Sequence, residues 1–231
     1  MRLTDATWRE VEATGGRRIV AVPLGSLEQH GPHLPLDTDT RIARRLAAHL
    51  AEVRADVAVA PALPYGASGE HAGFPGTLLA GHDVLAAFLT ELVRSARSAF
   101  AGVTFVCAHG GNGPALEEVR RCAAEDGDDV LVWTVRAPGG DAHAGHTETS
   151  LLLALEPQAV RMELAEAGRG EPLESIIGRL RAEGVRPVSS NGVLGDPRRA
   201  TAEEGMVLWR ALDEDLAASV EARWPSGGGS G

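Results

Sequence analysis

Short apolar runs alternate along this chain with longer stretches in which apolar residues recur at helical spacing. RIVAVPL at 18–24 is a continuous run bounded by Gly16 and Gly25, which predicts a buried strand. Ile42, Leu46, Leu50 and Val53 then share one face of a predicted helix, with Arg41, Arg44, Arg45 and Glu52 elsewhere on it. Thr38 or Asp39 stands near the start of that helix, where a short polar side chain satisfies free amides. DVAVAP at 56–61 predicts a second strand, and Leu85, Phe88, Leu92, Ala96 and Phe100 mark a second long amphipathic helix. GVTFVC running into AHGGN predicts a third strand and a turn, PALEEVRRCAAE a helix, and DVLVWTV a fourth strand. Strands alternating with helices argue for an α/β fold, a three-layer α/β/α sandwich on a mainly parallel sheet, because parallel neighbours need crossovers that cover both faces.

Ligands of such sheets bind beyond the carboxyl ends of the strands. The segment after the first strand, LGSLEQHGPHLPLDTDT at 24–40, is dense in possible metal ligands. Glu28 and His30 are two apart, so an extended backbone projects both to one side, toward one ion or adjacent ions. Asp37 and Asp39 are also two apart and open the next helix, either as caps or as cation ligands. His33, between Pro32 and Pro35, is open to reading as a ligand, a donor behind the ligands, a substrate contact or a turn residue.

A second cluster is HGGNGPAL at 109–116, where His109 ends the third strand. Glycine-rich turns between strand and helix also suit phosphate, yet this one lacks both GxGxxG and the lysine of a phosphate loop. In a third, DAHAGHTETSLLLAL, His143, His146 and Glu148 precede an apolar helix, and Glu148 reads equally as a helix-start carboxylate. The loop PYGASGEHAGFPGT follows the second strand and belongs over the same rim. Tyr65, Ser68, Glu70 and His71 are its candidate substrate contacts, with a structural Ω-loop as the alternative.

Composition narrows the field. With 231 residues, 44% of them hydrophobic, the chain is long enough to bury a sizeable core. One domain is expected over 1–224, with PSGGGSG at 225–231 as a flexible tail. Lys and Arg total 22 against 32 Asp and Glu, and the net charge of -10 argues against a nucleic-acid partner. The opening residues are charged throughout, and the longest stretch free of charged residues is broken by glycines and Pro114. Neither a secretory signal nor a membrane span is therefore expected, and the cytoplasm is the expected location. Cys107 and Cys122 are expected as free thiols.

PLGSLEQHGPHLPLDTDT, AHGGN and HAGHTETSLLL, in that order over roughly residues 20–155, resemble the signatures of the creatininase family of metal-dependent amidohydrolases. YGASGEH, GGDAHAGHTETS and NGVLGDP extend the likeness to a peptidase branch of that family. Its substrate is a modified, ribosomally made precursor peptide, cut near its C-terminus to release a Val-Tyr-derived fragment. The resemblance implies a creatininase-like fold and one or two divalent ions per subunit, zinc or iron(II), with manganese a further option. It implies Glu28, His30, Asp39 and His109 as ligands, with Asp39 bridging. Creatininase carries a glutamate two residues after the histidine matching His109, where this chain has Gly111, so Glu148 becomes the fifth ligand and second catalytic carboxylate. His143 is implied as the catalytic histidine that handles protons, and His71 as the favoured substrate contact. Ring-like homo-oligomers, commonly hexamers, are the family habit.

Such ions polarise an amide carbonyl and lower the pKa of bound water toward ~7. Opening of a lactam or cleavage of a formamide is the enzymatic alternative. A non-catalytic module holding a nucleotide or carbohydrate in the strand-end crevice is the alternative from another class.

Overall fold

The computed structural model describes residues 1–137 and 139–226. A short helix, α1 (Trp8–Glu12), opens on a capping box made by Thr7 and Glu10. Then follow β1 (Ile19–Leu24), α2 (Thr38–Val53), β2 (Val57–Val59), α3 (His82–Ala96), β3 (Gly102–Cys107), α4 (Gly113–Asp126) and β4 (Val130–Thr134). The remainder is helical: α5 (His146–Leu155), α6 (Leu173–Glu183), α7 (Val185–Val188) and α8 (Ala202–Arg223). The four strands form one parallel sheet in the order β2-β1-β3-β4.

Both central strands are buried at every position, which is why they read as continuous apolar runs rather than alternating ones. The pleat sorts their side chains. Ile19, Ala21 and Val106 pack under α2, α5 and α8 with Leu46, Leu50, Leu151 and Leu216. Val20, Val22, Val103 and Phe105 pack under α3 and α4 with Leu89, Val93, Leu116 and Val119. The result is a three-layer α/β/α sandwich.

Helix faces differ in detail from the sequence pattern. Val53, the last residue of α2, is 53% exposed because the chain leaves the helix there. In α3 the sheet receives Leu85, Leu89, Val93 and Ala96, while Phe88 is 52% exposed and the helix stops before Phe100. Two adjacent apolar stripes share Leu85, so periodicity alone admits either, and packing on the sheet selects one.

From β1 the chain turns to β2 on one side and then crosses to β3 on the other. The loops after β1 and β3 therefore diverge and open a crevice beyond the carboxyl ends of the two central strands. Among the described residues no helix is long and apolar enough to cross a membrane, and Cys107 and Cys122 are free thiols. Of the expected tail, residues 227–231 lie outside the described residues.

Helix α8 lies unusually close to α5. A Cβ at Gly205 would stand 1.9 Å from the Ser150 carbonyl oxygen, and Trp209 Nε1 donates to the Leu151 carbonyl at 3.0 Å. In α6, by contrast, a Cβ at Gly178 meets open space. Gly205→Ala is therefore expected to lower unfolding free energy by about 1–3 kcal/mol. Gly178→Ala raises it by up to ~1 kcal/mol through helix propensity. Urea unfolding of the two variants checks this, and equal shifts would refute the close α5/α8 packing.

Candidate active site

The crevice is assembled by backbone fitting before any ionisable group is involved. Gly25 ends β1 against the start of α2, where a Cβ would lie 2.4 Å from Thr40 N. Asn112, just after β3, accepts from Ala67 N at 2.8 Å and donates to the Gly25 carbonyl at 3.1 Å. One side chain thus ties together the loops that follow β1, β2 and β3.

Around this clamp Glu28, His30, Asp39, His71, His109 and His143 are all buried. Glu28 Oε1 lies 3.2 Å from His109 Nδ1, 3.3 Å from His71 Nε2 and 3.7 Å from His143 Nδ1. Asp39 faces two ways: Oδ2 is 3.4 Å from His109 Nδ1, and Oδ1 is 3.3 Å from His30 Nε2. Glu148 Oε2 stands 3.8 Å from His30 Nε2 and accepts from Ala144 N at 2.6 Å. Asp37, although at the N-cap position of α2, makes no side-chain cap and instead takes Arg41 Nε at 2.7 Å.

Three of the imidazoles are anchored through their outer nitrogens to main-chain carbonyls. His30 Nδ1 donates to the Glu28 carbonyl at 3.1 Å, His109 Nε2 to that of Ala67 at 3.4 Å, and His143 Nε2 to that of Gln29 at 2.8 Å. Each presents its other nitrogen to the carboxylates, the arrangement that orients metal-binding imidazoles.

The donor set fits a divalent cation. Glu28 Oε1 and Oε2 and Asp39 Oδ2 are buried without a hydrogen-bond partner, a costly state for ionised carboxylates. Ligand-type atoms converge in three overlapping groups: Glu28, Asp39 and His109; His30, His143 and Glu148; and Glu28, His71 and His143. Carboxylate with imidazole suits zinc, iron(II) or manganese.

The cluster's charges are strongly coupled. Burial opposes ionisation of Glu28, yet His109, His71 and His143 hold its carboxyl well below the usual range. Burial likewise opposes charging of His30, but Asp39, Glu148 and Glu28 outweigh it and lift His30 to about 10; His109 is raised well above its ordinary value by Glu28 and Asp39 despite burial. Burial pushes Glu148 up to about 7. Burial also lowers His71 to about 4 and, with His71 and His30 nearby, drives His143 well below the usual imidazole range.

Other candidates sit elsewhere. His33 is buried but turned away, with Nε2 2.8 Å from Thr149 Oγ1. Ser68 is buried, in contact with Ser26 Oγ and 3.5 Å from His109 Nε2. Glu70 Oε1 is 3.6 Å from His109 Nε2, occupying space that a side chain at Gly111 would need. Tyr65 is 54% exposed, and His146 pairs with Glu204 at 3.0 Å on α8. Four residues escaped the sequence reading: Gln29, Asn112, Asp141, whose carboxylate accepts from His146 N and from Thr147 N at the start of α5, and Ala144, held at a φ of 50°. Asn112 and Gln29 lay within quoted motifs, but their type signalled no chemistry.

Carboxylates and imidazoles gathered at the switch point of a parallel sheet place this protein among the metal-site α/β hydrolases. The family model described as Creatininase, creatinine amidohydrolase, matches residues 4–220, and the chain belongs to the creatininase family. A Mycobacterium tuberculosis protein named mycofactocin precursor peptide peptidase is 46% identical over 214 residues, 89% of this chain and 85% of that protein. Its namesake from Mycolicibacterium smegmatis is 44% identical over 211 residues, again 89% of this chain and 85% of the relative. A crystal structure of creatinine amidohydrolase superposes with a TM-score of 0.81 at 25% identity, covering 97% of this chain and 98% of that one.

Two outcomes follow for the ion. Glu28→Gln and His109→Ala are expected to lose bound metal while Asp37→Asn keeps it, read by elemental analysis of purified protein. The opposite pattern would overturn the ligand set. His30 and His109 hold protons in the ion-free cluster, so loading a cation displaces them and affinity falls as pH falls. Calorimetric titration in buffers of different ionisation enthalpy should therefore give different heats, and identical heats would refute the coupling.

Proposed function

We propose that this chain is the metal-dependent peptidase that cleaves the modified mycofactocin precursor peptide near its C-terminus and releases the modified Val-Tyr-derived fragment. The observation that carries the substrate is the 46% identity over 89% of the chain to a relative named for that reaction. The buried, partnerless carboxylate oxygens of Glu28 and Asp39 support a site for the chemistry.

We propose that Glu28, Asp39 and His109 would hold one ion, and that His30 and Glu148, with Asp39 as the bridging residue, would hold a second. A divalent ion bound by these residues would supply Lewis acidity to the scissile carbonyl and lower the pKa of water toward neutrality. His143 is held neutral by burial and presents Nδ1 to the crevice, so it takes the proton of the attacking water and returns it to the departing nitrogen. His71 contacts substrate, while Tyr65 at the exposed rim and Ser68 and His33 deeper in the walls shape the pocket. The carboxylate and imidazole donors favour zinc or iron(II) as the resident ion. Residues 1–224 act as one catalytic domain, in the cytoplasm, as a homo-oligomer. Exposed Val53, Met206 and Val207, on α2 and α8, support a surface covered by another copy.

Mass spectrometry of the modified precursor peptide, with chelator and with added zinc, iron(II) or manganese, tests the substrate. Metal-dependent release of a small C-terminal fragment is expected, and abolished in Glu28→Gln. An intact peptide under every metal would overturn the peptide reading and leave lactams and formamides as substrates.

A further inference from the structure

One imidazole in the cluster breaks the pattern of the others. The outer nitrogen of His71, Nδ1, faces the side-chain amide of Gln29 at 2.9 Å instead of a carbonyl. The orientation of that amide is fixed by main-chain partners on both sides. Gln29 Oε1 accepts from Gly31 N at 2.9 Å, and Gln29 Nε2 donates to the Gly192 carbonyl at 3.0 Å. Flipping the amide would set donor against donor at Gly31 and acceptor against acceptor at Gly192. Gly192, at a φ of +81°, is what admits the amide, since a Cβ there would lie 1.8 Å from Gln29 Oε1.

The remaining Gln29 contacts complete the account. Its Nε2 lies 3.0 Å from His143 Nε2, but that nitrogen spends its proton on the Gln29 main-chain carbonyl at 2.8 Å. The two amide protons of Gln29 therefore go to Gly192 and to His71 Nδ1, and Nδ1 must accept. A neutral imidazole that accepts at Nδ1 carries its proton on Nε2, the nitrogen that faces Glu28 at 3.3 Å.

We propose that Gln29 is a positioning residue that keeps His71 out of the metal-ligand set and makes it an N–H donor into the crevice, while its own carbonyl leaves His143 a free lone pair. Residue 29 thus gives two neighbouring imidazoles, with ring centroids 4.4 Å apart, opposite roles toward the same centre. Both inward nitrogens face Glu28 Oε1, His71 Nε2 at 3.3 Å as a donor to oxygen and His143 Nδ1 at 3.7 Å as an acceptor of a proton. The turn at 189–195, otherwise remote from the chemistry, acquires a function through this contact: Gly192 locks the amide. The inference rests on the reading of this cluster as an ion-holding hydrolytic site.

Nitrogen-15 magic-angle-spinning spectra of the full-length, histidine-labelled protein, chelated and zinc-loaded, test it, with His71→Gln identifying the His71 signals. His71 is expected to show a protonated Nε2 and an unprotonated Nδ1 in both states, while zinc moves the His30 and His109 signals. Gln29→Glu keeps the shape but turns an acceptor toward His71, so the proton should shift to Nδ1 and kcat fall by about 10- to 100-fold. Zinc bound at His71 Nε2 in the wild-type protein, or an unchanged His71 tautomer in Gln29→Glu, would overturn the proposal. Should Gln29→Glu not fold, the wild-type spectra decide alone. The spectra need no peptide, so their failure is distinct from failure of the precursor-cleavage assay.

Discussion

Two buried carboxylates, three of whose four oxygens lack a hydrogen-bond partner, organise this molecule. Glu28 and Asp39 are buried, and neither the helix start nor the strand end satisfies Glu28 Oε1, Glu28 Oε2 or Asp39 Oδ2. An arrangement of that kind persists only if opposite charge is supplied, by protonated imidazoles in the ion-free protein and by a cation in the loaded one. The same interactions explain why His30 and His109 are drawn toward the charged form while His71 and His143, beside them, are held neutral. Charge balance therefore divides four adjacent imidazoles into two pairs.

The scaffold makes that balance possible by removing slack. Glycines at 25 and 66 let backbones approach until Asn112 bonds to two loops at once. Each of the imidazoles of His30, His109 and His143 is fixed from behind by a main-chain carbonyl, and His71 by an amide that main-chain groups fix in turn. No charged surface group takes part in this anchoring. The net charge of -10 thus bears on the partners the surface repels, while the chemistry resides in a few buried groups.

Much of this was legible in one dimension. Buried parallel strands leave unbroken β-branched runs, so β1 and β3 were visible with near-correct ends, and the rule that ligands gather at carboxyl ends put the first two motifs and the loop after β2 at one rim. The residue types in those motifs pointed to a cation, and their order pointed to the creatininase family, to which the chain belongs. Other features were not legible. The stripe of α3 that meets the sheet was ambiguous because two apolar stripes share Leu85, and spacing alone left Asp37 and Asp39 equivalent, with only the family resemblance pointing to Asp39.

What the sequence by itself determined was chemistry and layering: which residue types are available, and in which order strands and helices deliver them. Periodicity and composition carry that information because they reflect burial averaged over each element. Only the tertiary structure decided direction. It turned Asp39 inward and gave Asp37 to Arg41, sent His33 toward Thr149, paired His146 with Glu204, and brought Gln29 from between two ligand candidates to the back of His71 and His143. Apart from the local Asp37–Arg41 pair, those outcomes depend on long-range contacts, such as the bonds from Gln29 to His71 and to Gly192 across 42 and 163 residues of chain. No local pattern encodes which nitrogen of an imidazole meets a donor and which meets a carbonyl.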